Sequence, residues 1–428
     1  MLRRSRRRRP PLDVATLTAS VALGWLLVAA AIAGEPVAVL GVEVPLAGDP
    51  VLRAVVGACG VLVLLAAGAV WWWRRGGRRP VEVVNLPLRH PGFVGRRAEL
   101  ERIRRQLTTV GGQDEPALVV VQGPGGAGKT QLALEYAHQH RRRYDVVWWI
   151  PAERLPVVAD RFSTLAVLLG VATTAGDRGA VAAATTALRG FDRWLLIFDD
   201  PPDPIVLGGL LPSGGAGHIL VTTRDPAWSQ RATAVTTVDG LARPDAVDLV
   251  CARTGTRDRD LAAALAAEVG DLPLALEQGT AYLRSTGLAA ERYLRVLRER
   301  PRAALQRGTS GHYPRSLVAV HDLAVERVDR DDPSALDLLR LYAFLAPDTI
   351  PLDLATGAVT APAGDPPELR HGDAVAALAR AALVTVRRSD AADADRAELA
   401  VHRLTQALIR DGMDPGERRR WSEVAVET

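Results

Sequence analysis

Two stretches near the start of the chain, residues 14–34 and 54–73, hold 21 and 20 residues without a charge. At about 1.5 Å per residue, either run as a helix reaches across a hydrocarbon layer of roughly 30 Å. Arg3, Arg4, Arg6, Arg7, Arg8 and Arg9 precede the first run, and Arg74, Arg75, Arg78 and Arg79 follow the second. The connector 35–52 carries only Glu35, Glu43 and Asp49, with Arg53 at its edge. Positive flanks select the cytoplasmic side, so the pattern predicts a two-helix transmembrane hairpin with both ends inside. Trp71, Trp72 and Trp73 stand where an aromatic belt belongs, and Gly57, Ala58, Gly60 and Gly68 leave a small-residue face on the second span. A cleaved signal is disfavoured, because the first run exceeds the usual ~7–15 residues and a second follows.

Past a linker punctuated by Pro80, Pro87 and Pro91, the periodicity becomes globular. Residues 117–122 are a short apolar, β-branched run that reads as a buried parallel strand, with a helical pattern from Gln131 onward. Apolar runs at 194–198 and 218–223 read the same way as 117–122. Residues 258–300 show helical spacing through Leu261, Leu265, Val269, Tyr282, Leu294 and Leu297, with Asp258 and Asp260 at a plausible start. Residues 382–386 and 399–403 are strand-like and joined by an acidic stretch, as in a wing. The expected organisation is a membrane hairpin (1–80), an α/β domain with a parallel sheet (81–238), a helical module (239–310) and a winged-helix-like module (311–428).

Composition narrows the class. With 428 residues, 48% hydrophobic and 24% charged, the chain is neither disordered nor collagen-like. Cys59 and Cys251 are too few for a disulfide framework or a zinc site. Residues 1–80 hold eleven Arg against four acidic residues, whereas the other 348 hold 42 basic and 45 acidic residues. The body is therefore slightly acidic, and no nucleic-acid partner is expected.

The strongest chemical signal follows the 117–122 run. Gly123-Pro124-Gly125-Gly126-Ala127-Gly128-Lys129-Thr130 matches G-x-x-x-x-G-K-[ST] between a strand and a helix. Its glycines let successive backbone N–H groups surround phosphate oxygens, and the helix N-terminus adds partial positive charge. Lys129 supplies a point charge to the β- and γ-phosphates, and the Thr130 hydroxyl serves Mg²⁺. Lys129 is the only lysine among 53 basic residues, so the chain keeps an ammonium where a guanidinium would not substitute. The run at 194–198 ends in Asp199-Asp200. Asp199 is the metal-holding candidate, and Asp200 the group that orients or deprotonates the attacking water. Arg224, at the tip of the 218–223 run, is placed to reach a γ-phosphate; a solvated arginine is its equal rival.

The succession of motifs resembles the NB-ARC group of STAND signalling ATPases, found in apoptosome and plant-resistance proteins and in many bacterial regulators. It comprises Phe93-Val94-Gly95-Arg96, the phosphate loop, Asp199-Asp200, Thr222-Thr223-Arg224, Gly270-Asp271-Leu272-Pro273-Leu274 and Val401-His402-Arg403-Leu404, over about residues 88–410. The resemblance implies that Val94 and Arg96 sit near the adenine and that Gly123, Pro124, Gly125, Gly126, Ala127, Gly128, Lys129, Thr130 and Gln131 bind the nucleotide. It implies that Arg224 senses the γ-phosphate, that Pro273 lines the adenine pocket, and that His402 touches the β-phosphate of ADP and locks the resting state. The His402 segment departs from the plant-type Met-His-Asp.

The expected function is a membrane-anchored ATP/ADP switch in bacterial regulation or defence. ATP hydrolysis is slow, Mg²⁺ assists, and the ATP state self-associates. The sequence through Thr428 holds no ~34-residue helical repeat or leucine-rich array, so the expectation is that a sensor is absent or lies on a separate protein. The rival readings are a winged-helix transcription regulator or scaffold with a vestigial ATPase, and a motor with steady turnover.

Overall fold

The structure, a computed structural model, describes residues 25–29, 32–33, 37–39, 42–44, 50–76, 83–109, 115–172, 179–191, 193–307, 316–356, 366–388 and 397–428. The chain divides into two units, Met1–Val81 and Glu82–Thr428.

In the first unit, β1 (Val37–Val39) pairs antiparallel with β2 (Val42–Val44), and a helix covers Pro50–Gly76. The expectation of a multi-pass membrane protein with two spans is overturned here, and the cytoplasmic orientation built on it falls too. Among the described residues, no helix is long and apolar enough to cross a membrane. Of the run 14–34, only 25–29 and 32–33 are described as helix, and the arginines up to Arg9 lie outside the described residues, as do Arg78 and Arg79. Helix Pro50–Gly76 carries Arg53 in its first turn and ends on Arg74, Arg75 and Gly76. An uncharged run is necessary for a span and does not suffice for one.

The second unit is built on a six-stranded parallel sheet. Its strands are β3 (Val83–Asn85), β4 (Ala117–Gln122), β5 (Val146–Pro151), β6 (Trp194–Asp199), β7 (His218–Thr223) and β8 (Ala234–Thr237), in the order β3-β5-β6-β7-β4-β8. Alternation along the strands supplies two cores. Val119, Val121, Leu195, Ile197 and Leu220 face one side, whereas Val120, Leu196, Phe198, Ile219 and Val221 face the other. Helices cover both faces, which is why the strands read as continuous apolar runs. Gln122 pairs with Thr223 and Asp199 with Thr222, so β4, β6 and β7 end side by side. Ligands in open parallel sheets bind beyond such strand ends.

Helices Arg243–Thr254, Arg259–Glu268, Pro273–Thr286 and Ala290–Glu299 follow. Leu265, Val269, Leu294 and Leu297, four of the spaced positions, are buried in the first of those cores. Asp258 caps the second helix, accepting from the Leu261 N–H at 2.9 Å. Beyond them, β9 (Ile350–Pro351), β10 (Thr385–Arg388) and β11 (Ala397–Ala400) form an antiparallel sheet in the order β10-β11-β9. It shares a separate core with helices Leu317–Asp331, Pro333–Tyr342, Pro367–Arg380, Arg403–Gly412 and Pro415–Glu427. Both strands are displaced from the expected 382–386 and 399–403. Ala382 turns at φ 54° ahead of β10, and His402 already caps the helix after β11.

Candidate nucleotide-binding site

The phosphate loop joins β4 to helix Lys129–His140. Gly126 and Gly128 adopt φ of 82° and 86°, which a side chain would strain. Space is equally demanding, because a Cβ on Gly123 would stand 1.9 Å from the Val238 carbonyl oxygen. Lys129 is buried, and its Nζ donates to the carbonyls of Gly123 at 2.8 Å and Pro124 at 2.9 Å. Burial, and then the neighbouring Arg224 charge, push its pKa down to about 8 against the opposing pull of Asp200 and Asp199. The loop thus curls around an ammonium whose charge its own carbonyls only partly offset.

Asp199 ends β6 directly opposite. Its Oδ1 accepts from Thr130 Oγ1 at 2.7 Å and from Thr222 Oγ1 at 2.5 Å. Burial raises its pKa, while the two hydroxyls and Lys129 oppose the rise. A half-buried carboxylate beside a hydroxyl is a hard-oxygen donor pair of the kind Mg²⁺ takes, so these residues fit that ion. Asp200 occupies the left-handed region at φ 49°, pinned by its N–H donating to the Thr222 carbonyl at 2.9 Å. Arg224 Nη2 donates to Asp200 Oδ2 at 3.2 Å, with both side chains about one-third exposed. That pair can exchange partners cheaply.

On one side of the loop lies a pocket of about 440 Å³, lined by Val94, Arg96, Gly128, Gln131, Leu241 and Pro273 among others. Arg96 is buried at φ 61°, and both terminal nitrogens of its guanidinium are engaged. It donates to Glu99 Oε1 at 2.9 Å, to the Ala127 carbonyl at 3.1 Å and to the Asp239 carbonyl. Arg96 therefore braces the loop as well as lining the pocket.

A second pocket of about 440 Å³ lies on the other side, lined by Pro124, Gly125, Arg224, Leu317, His321 and His402 among others. His402 Nδ1 accepts from the Leu404 N–H at 3.2 Å, which leaves Nε2 to donate to the Gly270 carbonyl at 3.1 Å. Burial lowers its pKa and keeps the ring neutral. Gly270, at φ 61°, admits the ring only because it lacks a Cβ, which would stand 2.3 Å from His402 Cε1. Pro273 lies 3.7 Å from where a Cβ of Gly128 would be, and the Leu274 N–H donates to the Gly126 carbonyl at 3.2 Å.

The structure brings all the expected residues to the two sides of this loop, and adds others. Leu317 and Val320 pack on Gly126 and Gly125, and Gln278 Oε1 accepts the Leu317 N–H at 3.0 Å. The i, i+3, i+4 spacing of Leu317, Val320 and His321 marks one helix face in the sequence. Nothing in that spacing says which surface the face meets.

Residues 96–260 match the family model of the NB-ARC domain. This segment is an NB-ARC domain. The match covers the phosphate loop, Asp199, Asp200 and Arg224; Val94, Pro273 and His402 lie outside it. Residues 327–418 match a domain of unknown function, DUF7779. The chain is similar to a nucleotide-binding leucine-rich repeat (NLR)-like protein of Hyaloscypha variabilis, 27% identical over 231 residues, 48% of this chain and 23% of that protein. It is also similar to the regulatory protein AfsR of Streptomyces griseus, 28% identical over 221 residues, 48% of this chain and 22% of that protein. The chain thus spans less than a quarter of the length of these curated relatives. In fold it is similar to a Walker-type ATPase of Pyrococcus abyssi, with TM-score 0.51 and 13% identity over 77% of this chain and 99% of that one.

Proposed function

We propose that the protein is an ATP/ADP-dependent signalling switch with slow hydrolysis. The observation that carries this reading is one loop gripped from three directions. The loop holds the Lys129 ammonium on its own carbonyls, and helices Pro273–Thr286 and Leu317–Asp331 pack on the same glycines. A ligand at the loop therefore acts on modules beyond the sheet. In this reading residues 81–238 are the nucleotide-binding domain, 239–310 a helical module and 311–428 a winged-helix-like module.

Phosphate oxygens replace the carbonyls as partners of Lys129, while loop N–H groups and the helix N-terminus hold the remainder. The adenosine part occupies the pocket of Val94, Arg96, Gln131 and Pro273. Asp199 and Thr130 would hold Mg²⁺, which when bound neutralises phosphate charge. Asp200 orients a water whose oxygen bonds to the γ-phosphorus as the bond to the bridging β–γ oxygen breaks. The water's proton passes to Asp200 and on to the departing phosphate. Arg224 leaves Asp200 for the γ-phosphate, so it reports the triphosphate. His402 in turn holds the diphosphate state from the Gly270 side. The ATP state self-associates through the nucleotide module, and a separate protein supplies the stimulus.

The test is to purify the protein, identify its bound nucleotide, and measure its mass with ADP and with a non-hydrolysable ATP analogue. Bound ADP, slow turnover and a larger assembly with the analogue are expected. Fast multiple turnover with an unchanged mass would overturn the switch in favour of a motor.

A further inference from the structure

Helix Leu317–Asp331 rests its first turn on the phosphate loop. Leu317 Cδ1 lies 2.8 Å, and Val320 Cγ1 3.3 Å, from where Cβ atoms on Gly126 and Gly125 would stand. His321 follows on the same face, in the pocket it shares with Pro124, Gly125 and Arg224. It is 7% exposed, and among the described residues neither ring nitrogen has a hydrogen-bond partner. The Asp322 carboxylate comes only to 3.5 Å from Nδ1, and Arg302 grips both of its oxygens at 2.7 Å. Buried polar atoms without partners are rare in a folded interior and point to a missing one. Across the same pocket stands Arg224, held by the single long contact to Asp200. A guanidinium and an imidazole with unused nitrogens, set beside a phosphate loop, make a receptor for a tetrahedral oxyanion.

We propose that His321 and Arg224 together bind a phosphoryl oxyanion at the outer face of the phosphate loop. It is the terminal group of a bound triphosphate or the orthophosphate that hydrolysis leaves behind. Either way, helix Leu317–Asp331 is tied directly to the phosphoryl state of the nucleotide. This rests on the nucleotide reading above and adds a second reporter on a different module from Arg224.

The test uses the full chain, titrated calorimetrically with ADP, with a non-hydrolysable ATP analogue and, once saturated with ADP, with orthophosphate. His321→Phe keeps the ring's bulk and removes both nitrogens, while His321→Gln keeps a donor. In His321→Phe the ratio of analogue affinity to ADP affinity, or the affinity for orthophosphate, falls about tenfold, and His321→Gln recovers part of it. The melting temperature of the Phe variant does not fall, because an unpartnered buried polar group is replaced by an apolar one. A change in the ratio assigns the terminal phosphoryl group, and a change with orthophosphate alone assigns the product. If both quantities are unchanged while ADP still binds, the role of His321 is overturned and the nucleotide reading stands. Wild-type protein that binds no ADP overturns both.

Discussion

The two pockets flanking the phosphate loop are alike in size and opposite in how their polar groups are held. On the side proposed for the nucleoside every charge named has firm partners. Arg96 is locked to Glu99, Ala127 and Asp239, and Arg253 clips Glu277 at 2.6 Å and the Gly92 carbonyl at 3.1 Å. On the side proposed for the phosphoryl groups Arg224 and Asp200 share one long, part-exposed contact, and among the described residues the His321 nitrogens have no hydrogen-bond partner. The first side is a preformed seat, where little reorganisation accompanies binding. The second holds its charges loosely, as a site must if it is to tell two phosphorylation states apart.

Lys129 is anchored in the loop itself, and Lys129→Ala should lower ADP affinity by a hundredfold or more in calorimetry; affinity equal to the wild type breaks the whole comparison. Asp200→Asn should spare ATP binding and slow single-turnover hydrolysis about a hundredfold, the scale of a lost general base. Arginine replacements test the contrast directly. Arg96→Ala should cost about 2 kcal/mol of stability in denaturant unfolding, since it strands two carbonyls and Glu99. Arg224→Ala should cost under ~0.5 kcal/mol, as a part-exposed pair does, yet sharply weaken the preference between ATP and ADP. Equal stability losses for the two would mean that the sides are not different.

Gly270→Ala should force the His402 ring off its carbonyl and speed ADP release about tenfold, measured with a fluorescent nucleotide. The smallest effect is pH-dependent. Burial holds the His402 pKa below 6.5, so the unfolded chain takes up a proton first as pH falls through that value. Stability is therefore fully present above pH 6.5 and declines below it, and His402→Asn should flatten that decline in melting temperature between pH 7.5 and 5.

Much of the seat was legible in the residues because it is contiguous. Strand, glycine loop, Lys129 and helix follow one another, and an apolar run that stops at Asp199 must surface there. Arg224 was half legible, since a strand tip locates an arginine without naming its partner. His321 was not, because its meaning comes from a helix nearly 200 residues downstream folding back onto Gly125. Arg96 was placed near the adenine by resemblance, but only three dimensions reveal that its guanidinium is already occupied. The N-terminal apolar runs misled for a related reason: an uncharged stretch is required of a span but does not by itself make one.

The amide of Leu274 reaches back to the Gly126 carbonyl, yet the NB-ARC match stops at residue 260. A fragment trimmed to that boundary would present a glycine-rich turn with one carbonyl stripped of its donor and with Leu274 and Leu317 removed from its flank. Such a piece should bind nucleotide less tightly than the intact chain even though every residue of the sequence motif is retained, so dissections of this protein should extend at least through residue 331.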